Sequence, residues 1–310
     1  MTPTPWIVPA AAAEQDERPV IADLFGADYS TRSITPQRAD RAPSVVRDAL
    51  ARLKPWDARD RRDLGAWCVA DHGDARAIDE PTWEGAFTDI ATRAMAALAG
   101  NRFTIALGGD HSVSWPVVAS VVQHARHTRP DVRVGVIQLD AHHDLRPLDG
   151  GPSNGTPFRG LLETGVLQAD DLVQVGLGRF ANAREVHEYA EAQFVRCIGV
   201  DEVRAEGAVA IAESALASLR GVDVVHLSVD IDVLDRAFAP GTVAALPGGL
   251  DPVSLEALVD RICADHRVQS MDVVEFDPER DVSNITALNV ASTVCTAVAS
   301  VARRSAPPNG

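Results

Sequence analysis

Five short runs of apolar residues, at 103–107, 134–139, 172–175, 224–229 and 268–274, are nearly continuous rather than alternating. Strands read this way when both faces of their sheet are covered, which is the condition of a parallel sheet between helical layers. The stretches between and after them, 116–127, 184–192, 203–219 and 253–264, carry helical periodicity, the last opened by Asp251 as a cap and Pro252 at the first helical position. Upstream, Val45, Val46, Leu50 and Leu53 mark a helix that stops near Pro55, and Phe87, Ile90, Met95 and Leu98 mark another ended by Gly100. Repeated strand–helix alternation predicts an α/β fold, a three-layer αβα sandwich around a mostly parallel sheet. The alternation runs unbroken from 101 to 300 with no linker, so a single domain is expected over 41–304. An irregular arm with one short element near 20–25 is expected over 1–40, and a frayed tail over 305–310.

Charge and composition remove several classes of function. Lys and Arg total 29 against 44 Asp and Glu, a formal charge of −15, so no basic excess exists to neutralise a nucleic acid or an anionic membrane. Lys54 is the only lysine, so a Walker A loop and lysine Schiff-base chemistry lack their central residue. Cys68, Cys197, Cys263 and Cys295 form no CxxC pair, which argues against a zinc ribbon, a thioredoxin motif or a disulfide scaffold and fits a reduced compartment. The amino terminus has no basic region and reaches Glu14 and Asp16 before an apolar stretch builds, so a cytoplasmic protein without a membrane span is expected.

Polar clusters fall where the strands end, and ligands of an open parallel sheet bind beyond those carboxyl ends. Gly108-Gly109-Asp110-His111-Ser112 follows the first run, Asp140-Ala141-His142-His143-Asp144 the second, Asp230-Ile231-Asp232 the fourth and Glu275 the fifth. Residues two apart on extended chain share a side, so Asp140, His142 and Asp144 converge, as do Asp230 and Asp232. Four carboxylates and an imidazole brought together repel and desolvate one another unless they are protonated or hold a cation. With His111 the set is too large for one tetrahedral zinc and suits two divalent ions with shared carboxylates. Its oxygen-rich character points to manganese ahead of Mg, Fe, Co or Zn. His143, pointing away from His142, reads as a buried supporting histidine.

These runs, with Ser228-Val-Asp-Ile-Asp-Val-Leu-Asp235 and Ala239-Pro-Gly-Thr242, resemble the three signatures of the ureohydrolase superfamily of arginases, agmatinases and formimidoylglutamases over about residues 100–300. The resemblance implies an arginase-like fold with about eight strands and two Mn2+ per subunit. One ion would be held by His111, Asp140, Asp144 and Asp230, the other by Asp140, His142, Asp230 and Asp232, with Asp140 and Asp230 bridging. It implies hydrolysis of a small-molecule amidine or guanidine by water that the ions activate. Asp232 would carry the proton to the leaving nitrogen and Glu275 would bind the cationic end. It also implies a homo-oligomer, a trimer or hexamer.

One departure bears on substrate. Arginases and agmatinases place a histidine before a glycine downstream of the second motif, whereas this chain has Asn154 in Ser153-Asn-Gly-Thr-Pro-Phe-Arg159. That segment resembles formimidoylglutamases, which release formamide from N-formimidoyl-L-glutamate in histidine degradation. A substrate with two carboxylates needs cationic donors, and Arg146, Arg159 and Arg179 are the candidates, with Asn154 orienting one end. An agmatinase or guanidino-acid ureohydrolase releasing urea, and more distantly a non-catalytic metal-binding homologue, are the alternatives.

Overall fold

A computed structural model describes residues 6–305. Nine parallel strands form the central sheet: β1 (Ile7–Pro9), β2 (Val20–Ala27), β3 (Cys68–Asp74), β4 (Phe103–Gly108), β5 (Val134–Leu139), β6 (Leu172–Leu177), β7 (Arg196–Gly199), β8 (Val224–Asp230) and β9 (Val268–Val274). Their spatial order is β1-β3-β2-β4-β9-β8-β5-β6-β7. The chain therefore places its last strand, β9, at the centre, bonded to β4 on one side and β8 on the other.

Two helical layers enclose this sheet, as the continuous apolar runs require. Helices α2 (Ala42–Arg52), α7 (Val200–Glu206), α8 (Ala208–Ser218), α9 (Pro252–Cys263) and α10 (Ile285–Ser305) pack into one core with the sheet. Helices α3 (Trp83–Leu98), α4 (Ser114–Thr128), α5 (Pro157–Glu163) and α6 (Arg184–Ala192) cover the opposite face, and a single turn, α1 (Ala10–Ala13), joins β1 to β2. By length and composition α10 could span a bilayer, but two-thirds of its apolar stretch is buried, packed against α2 and α9.

The αβα sandwich is as the sequence predicts, with nine strands rather than about eight. The first 40 residues are not an irregular arm: they supply β1 and β2, and β2 lies inside the sheet between β3 and β4. The short element expected near 20–25 is β2 itself, a full strand whose apolar pattern is broken by Asp23, a buried carboxylate held by Arg102 at 2.8 Å and His72 at 2.9 Å. The run Cys68–Asp74 is obscured, since His72 and two aspartates, Asp71 and Asp74, interrupt it. The predicted helix over 203–219 is two helices, because Gly207 adopts φ +91° and breaks the first from the second. Apart from Ser305, which ends α10, the predicted tail lies outside the described residues.

Candidate metal centre and active site

The carboxyl ends of β4, β9, β8 and β5 are adjacent, and each delivers site residues. Register sets this: Asp230 is opposite Val274, so Glu275 emerges one residue beyond the end of β9 beside Asp230. At the end of β4 the backbone passes very close to another segment. A Cβ on Gly109 would sit 1.8 Å from the Tyr29 carbonyl oxygen, so only glycine fits. Asp110 then accepts a hydrogen bond from the Ser112 amide at 3.0 Å, and this tight turn directs His111 inward. Asp144 and Glu275 both hold positive φ, +53° and +66°, a costly backbone state for residues with side chains that concentrates at functional sites.

Two groups of candidate ligands result. His111 Nδ1 lies 2.7 Å from Asp144 Oδ2, 3.1 Å from Asp230 Oδ2 and 3.2 Å from Asp140 Oδ2. His142 Nδ1 lies 3.0 Å from Asp232 Oδ2 and 3.5 Å from Asp140 Oδ1. Ligand atoms of His111, Asp140, Asp144 and Asp230 fall within 4.8 Å of one another, as do those of Asp140, His142 and Asp232. Asp140 is thus common to both groups, with one oxygen toward each imidazole.

The donor chemistry fits cations. Ser228 Oγ donates its hydrogen to Asp272 Oδ1 at 2.7 Å and so accepts at 3.0 Å from His111 Nε2, which must carry the ring hydrogen. His111 Nδ1 then presents a lone pair to three carboxylates, and although fully buried it makes no properly directed hydrogen bond with any of them. Without a cation the charges are badly placed. Burial and then the Asp140 charge push Asp144 up to about 6, and burial followed by Asp232 and Asp140 pushes Asp230 well above the usual carboxylate range. Burial opposes charge on His142, but Asp232 and Asp140 overcome it and drive the imidazole upward. Two divalent ions relieve all of this at once.

Beside the ligands Glu275 is 1% exposed and accepts three hydrogen bonds: from the His111 amide at 2.7 Å, from Gln37 Nε2 at 2.7 Å and from Asn154 Nδ2 at 3.1 Å. Burial, followed by the neighbouring Asp110 charge, still pushes Glu275 up to about 8. A cavity of about 140 Å³ opens over this group, lined by Asp144, Asp230, Asp232, Asn154, Glu275 and Arg146 among others. Among the described residues Arg146 has no ion-pair partner, leaving its guanidinium available.

The other two arginines are not at this cavity. Arg159 pairs with Glu163 one turn along α5 and stacks over Tyr189, 3.6 Å from the ring centre, which commits it to the α5–α6 contact. Arg179 lines the two neighbouring cavities, lies 3.6 Å from Asp201 and leans over Phe180. The structure also supplies a residue that the sequence reading did not single out. Gln37 comes from the segment after β2, where Arg32 binds the carbonyls of Gly150 and Pro152 and the Ile34 amide donates to Asn154 Oδ1 at 2.9 Å. No local pattern marks residues 32–37, because their role depends on a loop more than a hundred positions away.

The chain belongs to the Arginase family, whose model matches residues 21–299. It is a hydrolase acting on carbon–nitrogen bonds of linear amidines. It is 39% identical over 274 residues to the formimidoylglutamase of Halalkalibacterium halodurans, an overlap of 87% of this chain and 84% of that one. To the formimidoylglutamase of Bacillus subtilis it is 33% identical over 274 residues, covering 85% and 82% of the two chains. The crystal structure of formimidoylglutamase from Bacillus subtilis superposes with a TM-score of 0.86 at 29% identity, covering 95% of this chain and 90% of that one.

Proposed function

We propose that the protein hydrolyses N-formimidoyl-L-glutamate to L-glutamate and formamide. The observation that carries the reading is the hydrogen bond from Asn154 to Glu275, made beside an unpaired Arg146 in the cavity over the ligand cluster. The formimidoylglutamase names of the relatives support it.

In this reading His111, Asp140, Asp144 and Asp230 would hold one Mn2+, and Asp140, His142 and Asp232, with Asp230, would hold the second. When bound, such a pair polarises the substrate and lowers the pKa of a shared water toward ~7. Glu275 binds the amidinium, its carboxylate kept in place by Gln37, Asn154 and the His111 amide. Asp232, which lines the cavity, takes the proton that the attacking water gives up and passes it to the leaving nitrogen. Arg146 takes a substrate carboxylate. Arg159 and Arg179, expected to share this task, stand outside the set because their guanidinium groups are engaged elsewhere.

Metal-loaded protein assayed in parallel for formamide and urea tests the proposal. Formamide from N-formimidoyl-L-glutamate is expected; urea from agmatine or a guanidino acid without formamide overturns it. We further place the enzyme in the cytoplasm, consistent with its four free cysteines. We expect a homo-oligomer, a trimer or hexamer, which light scattering reads directly.

A further inference from the structure

Behind the ligand cluster, Gln138 on β5 and Gln174 on β6 are direct cross-strand partners, and both are completely buried. Two amides there, where the neighbouring strand positions are apolar, cost stability unless every polar atom is satisfied. Every one is. Gln138 Nε2 donates to Asp140 Oδ2 at 2.5 Å and to the His142 carbonyl at 3.3 Å. Gln138 Oε1 accepts from Gln174 Nε2 at 2.6 Å, and that nitrogen also donates to the His143 carbonyl at 2.6 Å.

The series continues outward in one direction only. Gln174 Oε1 must accept, so His143 Nδ1 donates to it at 2.6 Å. His143 Nε2 is then the acceptor for His187 Nδ1 at 3.1 Å, and His187 lines a separate cavity on the α6 side of the sheet. The polarity originates at Asp140: turning the Gln138 amide over would set oxygen against carboxylate and reverse each later bond. Asn182 holds the same segment from outside, accepting from the His143 amide at 2.9 Å and donating to the Ala141 carbonyl at 3.0 Å.

We infer that Gln138 and Gln174 are positioning residues of the metal centre, holding the Asp140 carboxylate through a one-way series of hydrogen bonds that runs from Asp140 to His187. The inference rests on the reading of Asp140 as a metal ligand. A neutral amide suits the task, since it fixes the carboxylate rotamer without cancelling the charge a cation needs, as a lysine or arginine would. Gln174 touches no ligand and acts through Gln138.

The test is titration of metal-stripped full-length protein with Mn2+ alone, by calorimetry, with thermal melts before and after loading. Gln138→Leu is expected to weaken Mn2+ binding by roughly tenfold or more, the usual range for groups that hold a ligand in place. Gln174→Leu is expected to weaken it in the same direction by less, and the double variant by less than the product of the two, because they act in series. The rise in Tm on adding Mn2+ shrinks correspondingly in both. Wild-type affinity in both folded variants overturns the inference, as does a fall in Tm that is equal with and without Mn2+. If Gln138→Leu does not fold, Gln174→Leu alone carries the same reading. Wild-type protein that takes up no Mn2+ overturns the metal assignment itself, a result distinct from the others.

Discussion

Gln37 and Glu275 lie 238 positions apart in the chain and share a 2.7 Å hydrogen bond inside the site. The bond ties the segment after β2 to the end of β9, so the acid proposed to receive the substrate cation is held from both sequence extremes of the domain. Gln37→Leu removes one of the donors that favour the ionised acid. Its expected effect is a rise in KM of about tenfold with a smaller change in kcat, the acid limb of kcat/KM moving to higher pH. Steady-state profiles across pH read this, and an unchanged KM at all pH values would show that Gln37 serves only the fold.

Asp230 is destabilised by its neighbours in the absence of cations, so its removal has opposite effects on the two forms of the protein. Asp230→Asn is expected to abolish turnover and tight Mn2+ uptake while raising the Tm of metal-free protein by relieving repulsion with Asp140 and Asp232. Metal analysis and melts in chelator check both halves; two ions retained per chain would refute the shared-ligand role.

Arg146 and Arg159 separate by the kind of loss they cause. Arg146→Leu is expected to raise KM for a dicarboxylate substrate by one to two orders of magnitude with little change in Tm. Arg159→Leu, which loses the stack on Tyr189 and the Glu163 pair, is expected to cost about 1 kcal/mol of stability with KM unchanged. Melting curves and kinetics on the two variants side by side suffice, and a KM effect confined to Arg159→Leu would reverse the assignment.

Asp28, which is not among the candidate ligands, supplies a second pH dependence. Burial pushes its carboxyl up to about 6 in the folded chain against an ordinary 3.8. The native state therefore holds a proton that the unfolded chain has released between those values. Stability falls as pH rises through that window, and the penalty is complete above about 6. Asp28→Asn removes it and is expected to gain about 1 kcal/mol at pH 7, a figure reduced for the partial exposure of the group. The gain should vanish below pH ~4; denaturant melts across pH that show a constant difference would contradict this.

Much of the site was legible because its ligands obey a local rule. Asp140, His142 and Asp144, like Asp230 and Asp232, follow strands at a spacing of two, and parallel strand ends meet at one edge of the sheet. Which oxygens face which imidazole depends on how the ends of β4, β5 and β8 align across the sheet, and no single segment encodes that. Arg159 was misplaced for a related reason. Its position on α5 is decided by Tyr189 on α6, not by its nearness in sequence to Asn154. In the fold, β3 escaped notice because His72 and paired aspartates interrupt its apolar pattern, and β2 reads only as a short element in an irregular arm because the partners that hold its buried Asp23 lie 49 and 79 positions away.

The central position of β9 has a consequence for how the chain is made. Residues 7–108 supply β1 to β4 and residues 134–230 supply β5 to β8, yet no strand of the first set is bonded to a strand of the second. During synthesis on the ribosome each half can assemble as its own segment emerges, leaving β4 and β8 as bare edges facing each other. Only when residues 268–275 leave the exit tunnel does one strand zip the halves together and deliver Glu275. A message cut short before that point would yield two half-sheets with open, apolar central edges, a product for chaperones and proteases rather than a weakened enzyme.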